Sequence, residues 1–291
     1  MTPRRLAYLG TPDMAVPPLQ ALVDAGHDVA VVVTRPDRRR GRGGATSASP
    51  VKEAAEGLGI PVVDDHRQLV GGGVDLGVVV AYGRIIPADV LAEVPMVNLH
   101  FSLLPRWRGA APVERAILAG DAVTGVCVMK VEEGLDTGPV YLREEASIGA
   151  DDDLATLRDR LVGVGSRLLV DALSGPLPEP EAQTGEVTYA EKIDPAELEL
   201  HWDRPAVDLD RVVRLGRAWT TFRDRRLRVL AARPDGPAPV GPPGSVDGEV
   251  VATGDGGLRL ATVQPEGKGA MAAAAWLRGV RLDPGERLGR S

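Results

Sequence analysis

The strongest constraint on how this chain can fold is a set of short runs that are apolar at almost every position: RLAYLG (5–10), VAVVVTR (29–35), DLGVVVAY (75–82), MVNLHFS (96–102) and TGVCVMKV (124–131). A strand with one wet face alternates apolar and polar residues, whereas an unbroken apolar run is covered on both faces. Stretches with helical spacing lie between the runs: PPLQALVDAG (17–26), SPVKEAAEGLG (49–59), PADVLAEV (87–94) and APVERAILAG (111–120). This alternation predicts an α/β fold, a Rossmann-like, mostly parallel sheet with helices on both faces. Ligands of such sheets sit beyond the carboxyl ends of the strands. Gly10, Thr11, the 36–49 loop and the pair Asn98 and His100 all fall at predicted strand ends, so separate motifs converge on one edge.

Asn98 and His100 stand at i and i+2 of a predicted strand and therefore project from the same face. Such an amide and imidazole can stabilise the oxygen of a carbonyl that is becoming tetrahedral. Asp136 follows in the glycine-bounded segment GLDTG (134–138), where a carboxylate can tune the imidazole and help remove a proton from a nucleophile. The combination reads as acyl-type group transfer without a covalent enzyme intermediate. Each part also has a purely structural reading: an Asn on a strand, a hydrogen-bonded His, an Asp in a turn. GTPD (10–13) after the first strand is a weak phosphate-nest signal, because its proline removes an amide donor, and a structural turn is the simpler reading.

The segment 151–173 places Leu154, Leu157, Leu161, Val164 and Leu168 at helical spacing behind a run of aspartates and is expected to close a catalytic domain over 1–175. The stretch 176–204 is rich in Pro, Gly and Glu and reads as a linker. A helix near 205–217 and then short strands, with Asp255-Gly256 as a hairpin turn, predict a smaller OB-like β-barrel domain over 205–291. No run of about 18 apolar residues occurs and the N-terminus lacks a signal-peptide pattern, so no membrane association and a cytoplasmic location are expected. The single cysteine, Cys127, reads as a small buried hydrophobe, and the four histidines show no metal-ligand spacing. The net charge of −7 argues against indiscriminate nucleic-acid binding. Two basic islands stand out against it: Arg35, Arg38, Arg39, Arg40 and Arg42 beside Asp37, and seven arginines between Arg211 and Arg228 beside Asp224. Either island could receive a polyanion. Trp219, inside the second, is expected to pack in the core.

GTPDMA, RPDRRRGRG (35–43), SPVK (49–52), VVAYGRIIP (79–87), NLHFSLLPRWRGAAP (98–112), GLDTG, VTYAEKI (187–193) and QPEGKGAM (264–271) occur in this order. With them the sequence resembles the methionyl-tRNA formyltransferases over nearly its full length. The resemblance implies a one-carbon transferase that moves formyl from the co-substrate 10-formyltetrahydrofolate to the α-amino group of initiator methionyl-tRNA. It implies Asn98, His100 and Asp136 as the catalytic set. It also implies Ser102, Leu103, Leu104 and Pro105 in the folate site, with Arg84, Ile85 and Ile86 beside them, and no metal. The arginine loop would enter the acceptor stem, Arg42 would be its key basic residue, and Lys268 would contact a phosphate. A monomer is expected, with RNA contacts from both domains. The chain departs from the family pattern at Gly44 and Ala45, where lysines would be looked for, and at Phe101, a site that is usually small.

Three rivals are weaker. A formyltransferase for a sugar nucleotide or small amine has no need of five arginines at 35–42. A nicotinamide-dependent oxidoreductase would need the glycine fingerprint and acidic ribose partner that are missing. A non-catalytic RNA-binding protein would not need the Asn98, His100 and Asp136 set.

Overall fold

The computed structural model describes residues 4–39, 46–283 and 285–289. The chain forms two compact units: Met1–Val113 with Ala122–Ile148 and Thr156–Lys192, and Glu114–Asp121 with Gly149–Ala155 and Ile193–Ser291.

The strands of the first unit are β1 (Arg5–Gly10), β2 (Asp28–Val33), β3 (Arg38–Arg39), β4 (Thr46–Ser47), β5 (Val62–Val63), β6 (Leu76–Val80), β7 (Met96–His100), β8 (Arg108–Gly109), β9 (Val123–Lys130), β10 (Val140–Ser147) and β11 (Tyr189–Ala190). The helices met along the first half of the chain are α1 (Val16–Asp24), α2 (Pro50–Gly57), α3 (Ala88–Glu93), α4 (Pro112–Ala119) and α5 (Leu154–Leu173). Seven strands make one sheet in the order β10-β9-β7-β6-β1-β2-β5. The ladders from β5 through β2, β1 and β6 to β7 are parallel, and β9 and β10 add antiparallel at one edge. The apolar runs read as doubly covered strands are this sheet's interior: β6 is buried at every position and β9 at all but its ends. The mostly parallel Rossmann-like reading is thus correct. The sequence reading did not include β10, whose alternating burial and charges mark a half-wet edge strand.

The basic loop leaves from and returns to a fixed base. Thr34 Oγ1 and Ser49 Oγ share a hydrogen bond of 2.8 Å, and Ser49 caps α2 by accepting the Lys52 N–H. Lys52 Nζ in turn holds Asp37 at 2.8 Å, and β3 pairs with β4 across the loop.

The stretch 176–204, read as a linker, is divided between the units, and its first part is hydrogen-bonded into the first. Val140 and Glu181 exchange both backbone bonds, and β11 pairs in parallel with β8. Composition concealed this, since a single strand pair and an isolated bridge leave no periodic trace.

In the second unit, β12 (Trp219–Phe222), β13 (Arg225–Pro234), β14 (Val246–Asp247), β15 (Val250–Ala252), β16 (Gly257–Pro265) and β17 (Met271–Ala272) form an antiparallel sheet in the order β12-β13-β16-β15-β14, with β17 on β16. The predicted Asp255-Gly256 turn joins β15 to β16, with Gly256 at φ 78°. Helices α6 (Ala206–Arg214) and α7 (Ala273–Val280) cover a core that includes Leu209, Val212, Val229, Val251, Leu258 and Val263. Among the described residues no ladder joins β14 back to β12, so the OB-like sheet is not a closed barrel. The tryptophans that fill this core are Trp202 and Trp276, the latter edge-on to Phe222 at 5.2 Å. Trp219 is not among them. It is half-buried, and the Arg226 guanidinium lies 4.2 Å from its ring centroid, a cation–π cover in place of apolar packing.

Candidate active site

Strand β7 separates two environments by simple alternation. Val97 and Leu99 are buried on one face, and Asn98 and His100 project from the other. The loop 131–139 brings Asp136 to that second face. Asp136 Oδ1 lies 3.4 Å from Asn98 Nδ2, and Oδ2 lies 3.6 Å from His100 Nδ1. The side chains of His100 and Asp136 are 6% and 14% exposed, so the three groups meet almost out of water. At these distances the amide and the imidazole each lie in reach of the carboxylate without a tight bond.

The histidine's orientation follows from its other nitrogen. Nε2 stands 2.9 Å from the Trp107 carbonyl oxygen, which can only accept, so Nε2 carries a hydrogen. In the neutral ring the lone pair is then on Nδ1, the nitrogen that faces the carboxylate. A proton taken up there would be held between His100 and Asp136.

Two non-glycine residues at this point have left-handed backbone. Trp107 has φ 62° and Asp136 φ 50°, both left-handed, a conformation that costs a non-glycine residue about 1–3 kcal/mol. Surrounding bonds hold both. Trp107 N–H donates to Thr188 Oγ1 at 2.9 Å, and Gly109 N–H donates to Asp136 Oδ2 at 2.8 Å. Gly109 has φ 122°, and a Cβ there would come within 2.8 Å of the Ala190 carbonyl, so only glycine fits against β11.

The SLLP turn is positioned by a second close approach. A Cβ on Gly125 of β9 would lie 2.6 Å from Leu103 Cδ2, so the glycine makes the seat for Leu103. Ser102 is fully buried and its hydroxyl donates to the Arg106 carbonyl at 2.5 Å. Leu104 is buried against Cys127, Met129 and Val140, and the Leu104–Pro105 peptide, with Pro105 buried, is cis. Of the four expected folate-site residues, Leu103 alone keeps a partly exposed side chain. Phe101 is buried at 5% exposure, and burial pushes the Cys127 thiol up. In the 82–87 turn, Ile85 is 80% exposed, whereas Ile86 belongs to a core cluster with Leu9, Tyr82 and Val90. Arg84 is exposed and donates to the Asp64 carbonyl at 3.0 Å. GTPD leads from β1 into a 3-10 turn over Asp13–Ala15, in which the Ala15 N–H donates to the Pro12 carbonyl.

The expected RNA contacts are less assembled. Arg35 is half-buried and donates to the Gly83 carbonyl, so it braces the 82–87 turn. Arg38 and Arg39 lie on β3. Arg40, Arg42, Gly44 and Ala45 lie outside the described residues. Lys268 is exposed in a turn where its N–H donates to Pro265 and its carbonyl accepts from Gln264 Nε2. Among the described residues no cluster of His, Cys, Asp or Glu could hold a metal ion, and no helix is long and apolar enough to cross a membrane.

Sequence reasoning missed Gln183. Its amide donates to the carbonyls of Asp136 and Gly138, both at 2.8 Å, and accepts from the Arg108 guanidinium at 2.7 and 3.0 Å. A lone Gln in a stretch without periodicity gives no signal that could have found it.

Residues 4–173 match the family model Formyl transferase, and residues 192–281 match Formyl transferase, C-terminal domain. A methionyl-tRNA formyltransferase of Jannaschia sp. (strain CCS1) is 46% identical over 98% of this chain and 99% of its own. One from Dinoroseobacter shibae is 45% identical over 96% of this chain and 98% of its own. The N-formyltransferase of Helicobacter canadensis, solved with folinic acid and dTDP-3-aminofucose, shares the fold, with a TM-score of 0.69 at 15% identity over 90% of this chain and 99% of that one. A match this complete, over both units and centred on a strand that presents an amide and an imidazole to a carboxylate, means that the chain belongs to the formyl transferase family, among the methionyl-tRNA formyltransferases.

Proposed function

We propose that this protein transfers the formyl group of 10-formyltetrahydrofolate to the α-amino group of methionyl initiator tRNA, the step that prepares the initiator for translation. The observation that carries the proposal is the meeting of Asn98, His100 and Asp136 at one half-dry point beside β7, in a chain that matches methionyl-tRNA formyltransferases from end to end. The acceptor amine must be neutral to attack, the formyl oxygen must be stabilised as it gains charge, and the proton that leaves the attacking nitrogen must be balanced by one delivered to N10 of the folate as its bond to the formyl carbon breaks. Asn98 Nδ2 and a protonated His100 Nδ1 are the donors available to that oxygen, and Asp136 is the carboxylate that holds His100 and receives the proton. No side chain forms a bond to the formyl carbon. The co-substrate supplies an activated formyl group on a flat, largely apolar ring system. Exposed Ile85 and partly exposed Leu103 suit the faces of such a ring, and backbone groups of 102–105 and Arg84 suit its polar edge. Ser102, Leu104, Pro105 and Ile86 act behind this surface, as its support.

Catalysis belongs to 1–175, with the 176–192 stretch bound to it, and the OB-like part over 205–291 serves the tRNA. The loop that carries Arg38, Arg39, Arg40 and Arg42 takes the acceptor end, with Arg35 as its brace, and Lys268 takes a backbone phosphate. The protein works as a cytoplasmic monomer, since this chemistry requires no second copy and no membrane.

One assay tests the reading. 10-Formyltetrahydrofolate is offered with charged initiator tRNA, charged elongator tRNA or free methionine, and formyl-methionine is measured. Transfer is expected with the initiator far above the other two acceptors. Equal transfer to free methionine would overturn the RNA assignment, and no transfer to any acceptor would overturn the reaction.

A further inference from the structure

We infer that Gln183 is a positioning residue for the formyl transfer proposed above, holding Asp136 in place against His100 through a closed ring of hydrogen bonds. The inference rests on that functional reading.

The amide's orientation is dictated by its partners. A guanidinium only donates, so Oε1 faces Nε and Nη2 of Arg108; carbonyl oxygens only accept, so Nε2 faces those of Asp136 and Gly138. All four valences of one side chain are thereby used. Ala182 and Thr184 on either side are exposed while Gln183 is half-buried, so this residue is turned in from a wet segment for its polar contacts.

The bonds close on themselves. From Gln183 the ring runs to the Asp136 carbonyl, through Asp136 to its Oδ2, to the Gly109 N–H at 2.8 Å, along the peptide to Arg108, and back to Gln183. Asp136, in a left-handed conformation, is therefore held at both ends, its carboxylate by Gly109 and its carbonyl by Gln183. The same Oδ2 faces His100 Nδ1 at 3.6 Å. A backbone shift at Asp136 is transmitted directly to the histidine, whereas Ile85, Leu103 and the arginine loop are untouched. The loss therefore falls on the chemical step and not on the binding of either substrate.

The test uses the full chain and steady-state formyl transfer to methionyl initiator tRNA across pH. Gln183→Met keeps the length and removes all four bonds; its kcat is expected to fall about ten- to a hundredfold, with KM for both substrates within about twofold of the parent. Gln183→Glu keeps the acceptors for Arg108 but turns a carboxylate toward two carbonyls. Its kcat relative to the parent is expected to recover as pH falls and the acid regains a donor, a response that a purely structural role does not give. The losses in Gln183→Met and Arg108→Met should be less than multiplicative when combined, because both open one ring. Parental kcat and pH profile in Gln183→Met, or an effect confined to KM or to melting temperature, would overturn the inference alone. If that variant does not accumulate, Gln183→Glu decides by the presence or absence of acid recovery. A parent chain without formyl transfer would remove the functional reading and this inference together.

Discussion

In the first unit Asn98 and His100 each reach to within 3.6 Å of Asp136, with the histidine and the carboxylate at 6% and 14% exposure. In the second unit five of the seven arginines of the 211–228 island are each held by a different neighbour. Arg211 pairs with Asp208, Arg214 reaches the carbonyls of Asp152 and Gly149, Arg223 pairs with Glu286, Arg226 lies on Trp219 and Arg228 bonds Gln264. Polar groups that converge in a nearly dry place act on one reacting centre and have no substitute. Polar groups spread over a wet surface share their work, and screening makes each one dispensable. A dense basic run in a sequence is therefore weaker evidence for a polyanion site than its charge suggests, since much of the island is already occupied.

Four measurements can break or sharpen this contrast. The largest effect is expected for His100→Ala, which should lower the rate of formyl transfer by at least about a hundredfold while tRNA affinity stays near the parent's; a loss below tenfold would mean that the converging set is not the reacting centre. Asp136→Asn should cost roughly 10- to 100-fold in turnover and reshape its pH profile, with the fold intact by circular dichroism. An unchanged profile would exclude a role for this carboxylate in holding or moving the proton. Arg42→Ala should raise the KM for tRNA several-fold and flatten the slope of log affinity against log salt by about 0.7–0.9, with folate binding unchanged. Identical slopes would take that residue out of the RNA contact. The smallest effect belongs to the second unit. The Arg115 guanidinium holds the Glu197 carboxyl below its usual range, through a hydrogen bond of 2.6 Å. A depressed carboxylate contributes stability above its unfolded pKa and loses it as pH falls through the folded value. Arg115→Met should thus lower stability by less than about 1 kcal/mol at neutral pH, and the gap in melting temperature should narrow as pH falls through the ordinary glutamate range and close once it passes the lowered value of Glu197. A gap that persists in acid would assign the loss to packing.

The sheet was legible because burial on both faces writes itself into sequence as unbroken apolar runs, and β6, β7 and β9 follow those runs closely. The juxtaposition of Asn98 and His100 was legible because i and i+2 on a strand fix a common face without further information. Strand β10 was not, since an edge strand with Arg143, Glu144 and Glu145 carries the composition of a loop. The turn between β12 and β13 also left no mark: Arg223 and Asp224 take φ 48° and 58° in a position that usually announces itself with Asn-Gly. Trp219 misled because an aromatic among arginines can be covered by a cation as well as by a core. Gln183 escaped because two of its bonds go to backbone carbonyls of a distant segment, which are the same in every sequence, and its one side-chain partner, Arg108, lies 75 residues away.

The hydrogen bond between Thr34 and Ser49 has a consequence for how such a protein can change. With the Asp37–Lys52 pair it knots the two ends of the 35–48 segment together inside the α/β frame. Each doubling of the length of chain closed by such a base costs only about 0.6 kcal/mol in closure entropy. Length can thus be added at this base at small cost, while the arrangement of Asn98, His100 and Asp136 beside β7 stays as it is.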